Sequence, residues 1–90
     1  MAWKVEFDDS ARRAFRKLNP SIQDQILRYL RQRIATNDDP RRFGKALSGD
    51  KAGLWRYRVG DCRVICDIQD GALRVLVVQV GNRRDVYQKT

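Results

Sequence analysis

The stretch WRYRVGDCRVICDI, residues 55–68, constrains the fold more than any other part of the chain. Apolar and charged residues alternate with a period of two on both sides of Gly60-Asp61, the pattern of two strands joined by a tight turn. Glycine at the first central position predicts a two-residue type II′ hairpin. That turn fixes the register: Val59 faces Cys62, Arg58 faces Arg63, Tyr57 faces Val64 and Arg56 faces Ile65. A slip of one residue would bury the arginines, so the pairing is strongly specified. It also sets Arg58 directly against Arg63, and like charges opposed across strands destabilise a sheet. A bound anion reverses the sign of that term, so the hairpin reads as one built to hold phosphate.

The rest of the chain supplies layers around this hairpin. In WKVEF, residues 3–7, Trp3, Val5 and Phe7 share one strand face. Asp8 and Asp9 suit the start of a helix, along which Ala11, Ala14, Phe15 and Leu18 fall at helical spacing with Arg12, Arg13, Arg16 and Lys17 mostly outward. Asn19-Pro20 stops that helix and Ser21 is placed to cap the next, whose stripe is Ile22, Ile26, Tyr29, Leu30 and Ile34. Asp24 can pair with Arg28. TNDDP, 36–40, ends the second helix, and the Gly- and charge-rich stretch 41–53 has Phe43, Ala46 and Leu47 as anchors. Three β segments follow, 54–59, 62–68 and 72–80, the last two joined at Asp70-Gly71, a type I′ signal. The pattern predicts an α+β fold, β-α-α-β-β-β, with a helical hairpin packed on one face of a mainly antiparallel four-stranded sheet.

Two-residue loops at both turns pair Ile68 with Leu73, Cys66 with Val75, Val64 with Val77 and Arg63 with Val78. One sheet face then carries Trp55, Tyr57, Val59, Cys62, Val64, Cys66, Ile68, Leu73, Val75 and Val77, the floor for the helices. The other carries Arg56, Arg58, Arg63, Ile65, Asp67, Arg74, Leu76, Val78 and Val80. On it Asp67 is expected opposite Arg74, and Ile65, Leu76, Val78 and Val80 form an apolar strip that suits a partner segment or the base of a cleft. No acidic residue faces Arg56, Arg58 or Arg63 across the strands in this register. The tail GNRRDVY runs from the same end and brings Arg83, Arg84 and Tyr87 toward that corner, with Asp85 as the nearby acid.

Composition narrows the chemistry. Ninety residues make one domain, residues 1–90. The formal net charge is +8, from 19 basic and 11 acidic residues, which favours polyanionic partners such as nucleic acid or the ribosome. The longest aliphatic run, VLVV, is far below the roughly 20 apolar residues a membrane span needs, and Met1 leads straight into a mixed segment, so a cytoplasmic protein without membrane contact is expected. Cys62 and Cys66 on one strand are ~13 Å apart, too far to bridge. With no histidine, neither a metal set nor the usual general base is expected. Arginines with a tyrosine point to phosphodiester chemistry run by positioning and electrostatics, and a surface that only binds RNA looks the same at this level.

The chain resembles the RelE family of bacterial toxin–antitoxin toxins, within the RelE/ParE superfamily. The likeness runs through WKVEFDDSARRAFRKL, ALSGDKAGLWRYRVGDCRVICDI and VVQVGNRRDVY, nearly the whole chain, and is most specific in LSGDKAGLWRYRVGDCRV and GNRRDVY. The resemblance implies a compact α/β fold with two helices on a mainly antiparallel sheet, and a ribosome-dependent endoribonuclease that cuts mRNA in the A site. It implies attack by the 2′-OH, giving a 2′,3′-cyclic phosphate and a 5′-OH, with no cofactor or metal. By the same resemblance Arg56, Arg58, Arg63, Arg83 and Tyr87 are the catalytic set. Arg63 stabilises the scissile phosphate, Arg83 stabilises charge or assists the leaving group, and Tyr87 stacks on a base and orients the 2′-OH. The best-known members have lysines where Arg56 and Arg58 stand. Arginine keeps its proton, so these two are expected to bind phosphate or stabilise charge. Arg84, Lys45 and Lys51 are further RNA- or phosphate-binding candidates. Implied partners are the ribosome, mRNA and a cognate RelB-like antitoxin in a hetero-oligomer. Two other functions fit the same fold: a ParE-like toxin that inhibits DNA gyrase by protein contact, and a non-catalytic RNA- or ribosome-binding module.

Overall fold

The alternating N-terminal segment forms β1 (Lys4–Phe7), and Asp8 ends it by capping α1 (Asp9–Arg16). The Asp8 Oδ1 accepts from the Ala11 N–H at 2.8 Å, satisfying one of the donors a helix start leaves open. In this computed structural model, which describes residues 2–82, α2 (Pro20–Tyr29) follows and widens into a π-turn at Leu30–Ile34. A 3₁₀ turn (Pro40–Phe43), the two-residue β2 (Lys45–Ala46) and a 3₁₀ turn (Gly49–Lys51) lead to β3 (Trp55–Val59), β4 (Cys62–Gln69) and β5 (Arg74–Asn82). The five strands lie in the order β1-β5-β4-β3-β2, with β1 parallel to β5 and the other pairs antiparallel. A parallel neighbour needs a long crossover, and the two helices return the chain over one face.

That face is the core. Ala11 of α1 and Ile26, Leu30 and Ile34 of α2 and its π-turn pack over Tyr57, Val64, Cys66, Val75 and Val77, with Phe15, Leu18 and Phe43 partly buried at its margins. Ile26 and Ile34 are fully buried, and each such side chain contributes about 1.5–3 kcal/mol of transfer free energy. Tyr57 is also fully buried, and its hydroxyl donates to the Pro40 carbonyl at 2.7 Å. This bond ties the chain entering β2 to the middle of the sheet. Gly44 allows the close approach: a Cβ there would stand 3.1 Å from Tyr57 Cε1.

The first hairpin has the expected register, with Val59 opposite Cys62 and Arg58 opposite Arg63. Gly60 has φ +58 and Asp61 is not in the positive-φ region, as a type II′ turn requires. The second hairpin departs from expectation. Asp70–Ala72 form a 3₁₀ turn and Leu73 takes φ 49, so Asp70-Gly71 is not a type I′ turn. Four residues then separate the strands, and Gln69 pairs with Arg74, Ile68 with Val75, Asp67 with Leu76 and Cys66 with Val77. A bulge between Ile65 and Cys66 shifts the ladder again, so that Ile65 faces Gln79, Val64 faces Val80 and Arg63 faces Gly81. Val80 is thereby turned into the core, 5 % exposed, and Ile65 is covered at 1 %, so the expected exposed apolar strip does not exist as a strip. Arg74 does not pair with Asp67: it donates to Gln69 at 2.6 Å and bridges to Glu6 at 3.2 Å.

Smaller corrections have equally local causes. The sheet has five strands rather than four because Lys45–Ala46 pairs with β3, and Ala46 is exposed rather than an anchor. Asn19, not Ser21, caps α2, because Pro20 occupies its first turn and leaves Asn19 Oδ1 to accept from Ser21 N–H at 3.0 Å. Asp24 and Arg28 are both exposed and form no ion pair among the described residues. Cys62 and Cys66 are free thiols on the core face of β4, and burial raises the pKa of both. No helix among the described residues is long and apolar enough to cross a membrane.

Candidate functional site

The outer face of the sheet, opposite the helices, is built in rows. Directly opposed residues share a face in an antiparallel ladder, so the register alone assembles two of them. One row reads Lys45, Arg56, Ile65, Gln79 across β2, β3, β4 and β5. The next reads Arg58, Arg63, Gly81 across β3, β4 and β5. Lys51, on the loop between β2 and β3, reaches over this face and donates from Nζ to Gln79 Oε1 at 3.2 Å. Five of the expected site residues, Lys45, Lys51, Arg56, Arg58 and Arg63, are thus brought together. Arg83, Arg84 and Tyr87 lie outside the described residues; β5 leads toward them and ends at Asn82, opposite Cys62.

Burial divides the cluster. Lys45 and Arg58 are exposed and form no ion pair among the described residues. Arg56 is half-buried, and Arg63, on the central strand, is only 4 % exposed. A guanidinium held in so dry a position feels weaker solvent screening than a surface one, which strengthens its pull on an anion at the face. Gly81, its ladder partner on β5, has no side chain. Two acids on this face stand outside those rows: Asp67, further along β4, accepts from Gln69 Nε2 at 3.0 Å, and Glu6, level with Leu76 on β1, bridges to Arg74 at 3.2 Å.

Other arginines are committed to structure. Arg41 holds Asp70 through both terminal nitrogens, bridges to Asp39 at 3.3 Å, and lies 5.8 Å over the Trp55 ring. Arg42 pairs with Asp38 at 3.3 Å and stacks 4.6 Å over Phe43. These contacts clamp the loop before β2 and the β4–β5 turn together and separate Arg41, Arg42 and Arg74 from the outer cluster.

Sequence reasoning missed Gln79. In unbroken alternation from Val75 and Val77, position 79 belongs to the core face, and a glutamine there is the signal that the strand changes phase. Tyr29 and Tyr57 also have shifted proton affinity: burial raises both phenols, Tyr57 more strongly, and the two rings meet at 6.2 Å in the core. These groups keep their protons and face away from the cluster. The described part of the site therefore supplies preorganised positive charge and hydrogen-bond donors, the equipment for gripping phosphates and stabilising a charged phosphorane.

Known proteins share this arrangement of chain. Residues 5–87 match the family described as the ParE toxin of type II toxin–antitoxin system, parDE. Toxin RelG of Mycobacterium tuberculosis is 30 % identical over 89 residues, 99 % of this chain and all of that protein. Toxin RelE of the same organism is 30 % identical over 86 residues, 96 % of this chain and 87 % of that protein. Among solved structures, the toxin–antitoxin complex RelBE2 from M. tuberculosis aligns with a TM-score of 0.83 at 29 % identity, covering 92 % of this chain and 100 % of that one. The isolated Escherichia coli RelE toxin shares the fold at 22 % identity, TM-score 0.71, covering 98 % and 94 %. With the match spanning nearly its whole length, the chain belongs to the ParE toxin family and is a type II toxin–antitoxin toxin of the RelE/ParE superfamily.

Proposed function

We propose that this toxin is a ribosome-dependent endoribonuclease that cleaves mRNA in the ribosomal A site. The observation that carries the reading is the convergence of Lys45, Lys51, Arg56, Arg58 and Arg63 on one sheet face, with two arginines directly opposed. In the reaction the 2′-oxygen attacks the adjacent phosphorus and loses its proton. The bond to the 5′-oxygen breaks and that oxygen takes up a proton, leaving a 2′,3′-cyclic phosphate and a 5′-OH. Arg63 and Arg58 grip the scissile phosphate and offset the charge of the phosphorane, while Arg56, Lys45 and Lys51 hold the flanking strand. Arg83 stabilises charge or serves the leaving group, and Tyr87 stacks on a base and orients the 2′-OH. The ribosome supplies the strand geometry that a site made of cations does not impose by itself.

Its activity is held in check by a RelB-like antitoxin, the kind of partner found in the RelBE2 complex of M. tuberculosis. An apolar groove of about 420 Å³ between β1 and α2, with Leu27 at its rim, 37 % exposed, offers that partner a surface away from the cationic face.

The test is primer extension on an mRNA in a purified translation system, with the wild type and Arg63→Ala. Cuts at A-site codons, absent from naked RNA and lost in the variant, are the expected result. The match to a family described as ParE toxins favours one second reading, inhibition of DNA gyrase by protein contact. Intact mRNA together with inhibited gyrase supercoiling would establish that reading instead.

A further inference from the structure

The bulge in β5 has a chemical consequence on the outer face. Because Val77 and Val80 both enter the core, Gln79 faces outward, opposite Ile65 and in one row with Arg56 and Lys45. Its amide oxygen accepts from Lys51 Nζ at 3.2 Å. Lys51 closes the 3₁₀ turn Gly49–Lys51, which begins at Gly49 with φ +66 and has no ladder partner among the described residues. Since β3 and β4 lie between Gln79 and the edge strand β2, this bond draws the β2–β3 loop across the sheet face.

We propose that Gln79 is a positioning residue, which fixes the Lys51 ammonium over the face beside Arg56 so that Lys51 joins the arginines in gripping the phosphates of a single RNA strand. The inference rests on the RNA reading of this face. An amide suits the task better than a carboxylate. It accepts one of the three ammonium N–H donors and leaves the other two, and it orients the charge without cancelling it. Lysine loses much rotamer freedom on being fixed, so holding it before the RNA arrives removes that cost from binding.

The experiment is a salt titration of binding to a single-stranded 2′-O-methyl oligonucleotide, which 2′-OH attack cannot cleave, followed by fluorescence anisotropy. Wild type, Lys51→Ala, Gln79→Met and the double variant are compared, with melting temperatures to verify that each is folded. Lys51→Ala is expected to reduce the slope of log K against log salt by about 0.7, one single-strand phosphate contact. Gln79→Met is expected to weaken binding when Lys51 is present and to change nothing in the Lys51→Ala background. Gln79→Glu, which keeps the bond but neutralises the charge, is expected to give the Lys51→Ala slope. Equal weakening by Gln79→Met in both backgrounds, or none in either, overturns the role of Gln79 while leaving the RNA reading intact. A wild type that does not bind the oligonucleotide at any salt overturns the proposal for Lys51 and Gln79, whereas the ribosome-dependent reading falls only if mRNA on the ribosome stays intact.

Discussion

Arg58→Glu is predicted to make the protein more stable and less able to bind RNA. Arg58 and Arg63 are direct cross-strand partners, and a directly opposed like-charge pair destabilises by about 0.2–1 kcal/mol. Replacing one member by glutamate removes that penalty and adds an opposite-charge pair worth about as much, for a net gain near ~1 kcal/mol. Arg63 is 4 % exposed, so solvent screens the pair less than it would two surface side chains. In a domain of this size ~1 kcal/mol raises Tm by about 4–8 °C. Thermal denaturation at low and high salt tests the cause as well as the size. The Debye length falls from ~10 Å at 0.1 M to ~3 Å at 1 M, so the advantage of the variant should shrink as wild type gains stability with added salt. A variant that melts at or below wild type in low salt, or a gap that salt does not change, would refute the electrostatic account of the hairpin.

The remaining predictions concern what holds the face in place. Tyr57→Phe leaves the buried Pro40 carbonyl without its donor and should cost about 1–2 kcal/mol in urea denaturation; an unchanged midpoint would mean that the bond contributes nothing net. Asp70 is held below the ordinary carboxylate value of 3.8 by the hydrogen bond from Arg41, so its stabilising contribution is present above that value and lost as pH falls through the depressed one. Asp70→Asn should therefore unfold at lower urea than wild type near neutral pH and match it in strong acid; a gap that persists in acid would assign the effect to something other than the Asp70 charge.

The first hairpin was legible because every local signal agreed: period-two alternation, Gly60 at the turn and arginines that the apolar core face could not take in. The stripes of α1 and α2 were legible for the same reason. The second hairpin was not, because Asp70-Gly71 is a strong turn signal that says nothing about how many residues the turn takes up. Leu73 in the left-handed region lengthens the loop, and only the polar Gln79 among valines marks the bulge that corrects the phase. The pairings of β1 with β5 and of β2 with β3 join segments by tertiary contact, and two residues of β2 carry no periodicity to read. Arg56, Arg58 and Arg63 could be grouped from the hairpin register, whereas bringing Lys45 and Lys51 to the same face required β2 and its loop to be placed in space.

The parallel pairing of β1 with β5 also sets a schedule. Lys4 pairs with Arg74, so the first strand waits for a partner made 70 residues later, an interval of ~4–14 s at ordinary synthesis rates of about 5–20 residues per second. Until then the sheet lacks the strand that joins β1 to β4, and the cationic face lacks Gln79 and Gly81. Contacts so distant in sequence also slow folding, since loop closure precedes the reward of pairing. A nascent or truncated chain that stops before Arg74 has the arginines of the hairpin but not the scaffold that aligns them. The order of the strands thus makes completion of the polypeptide a condition for assembling the cationic face.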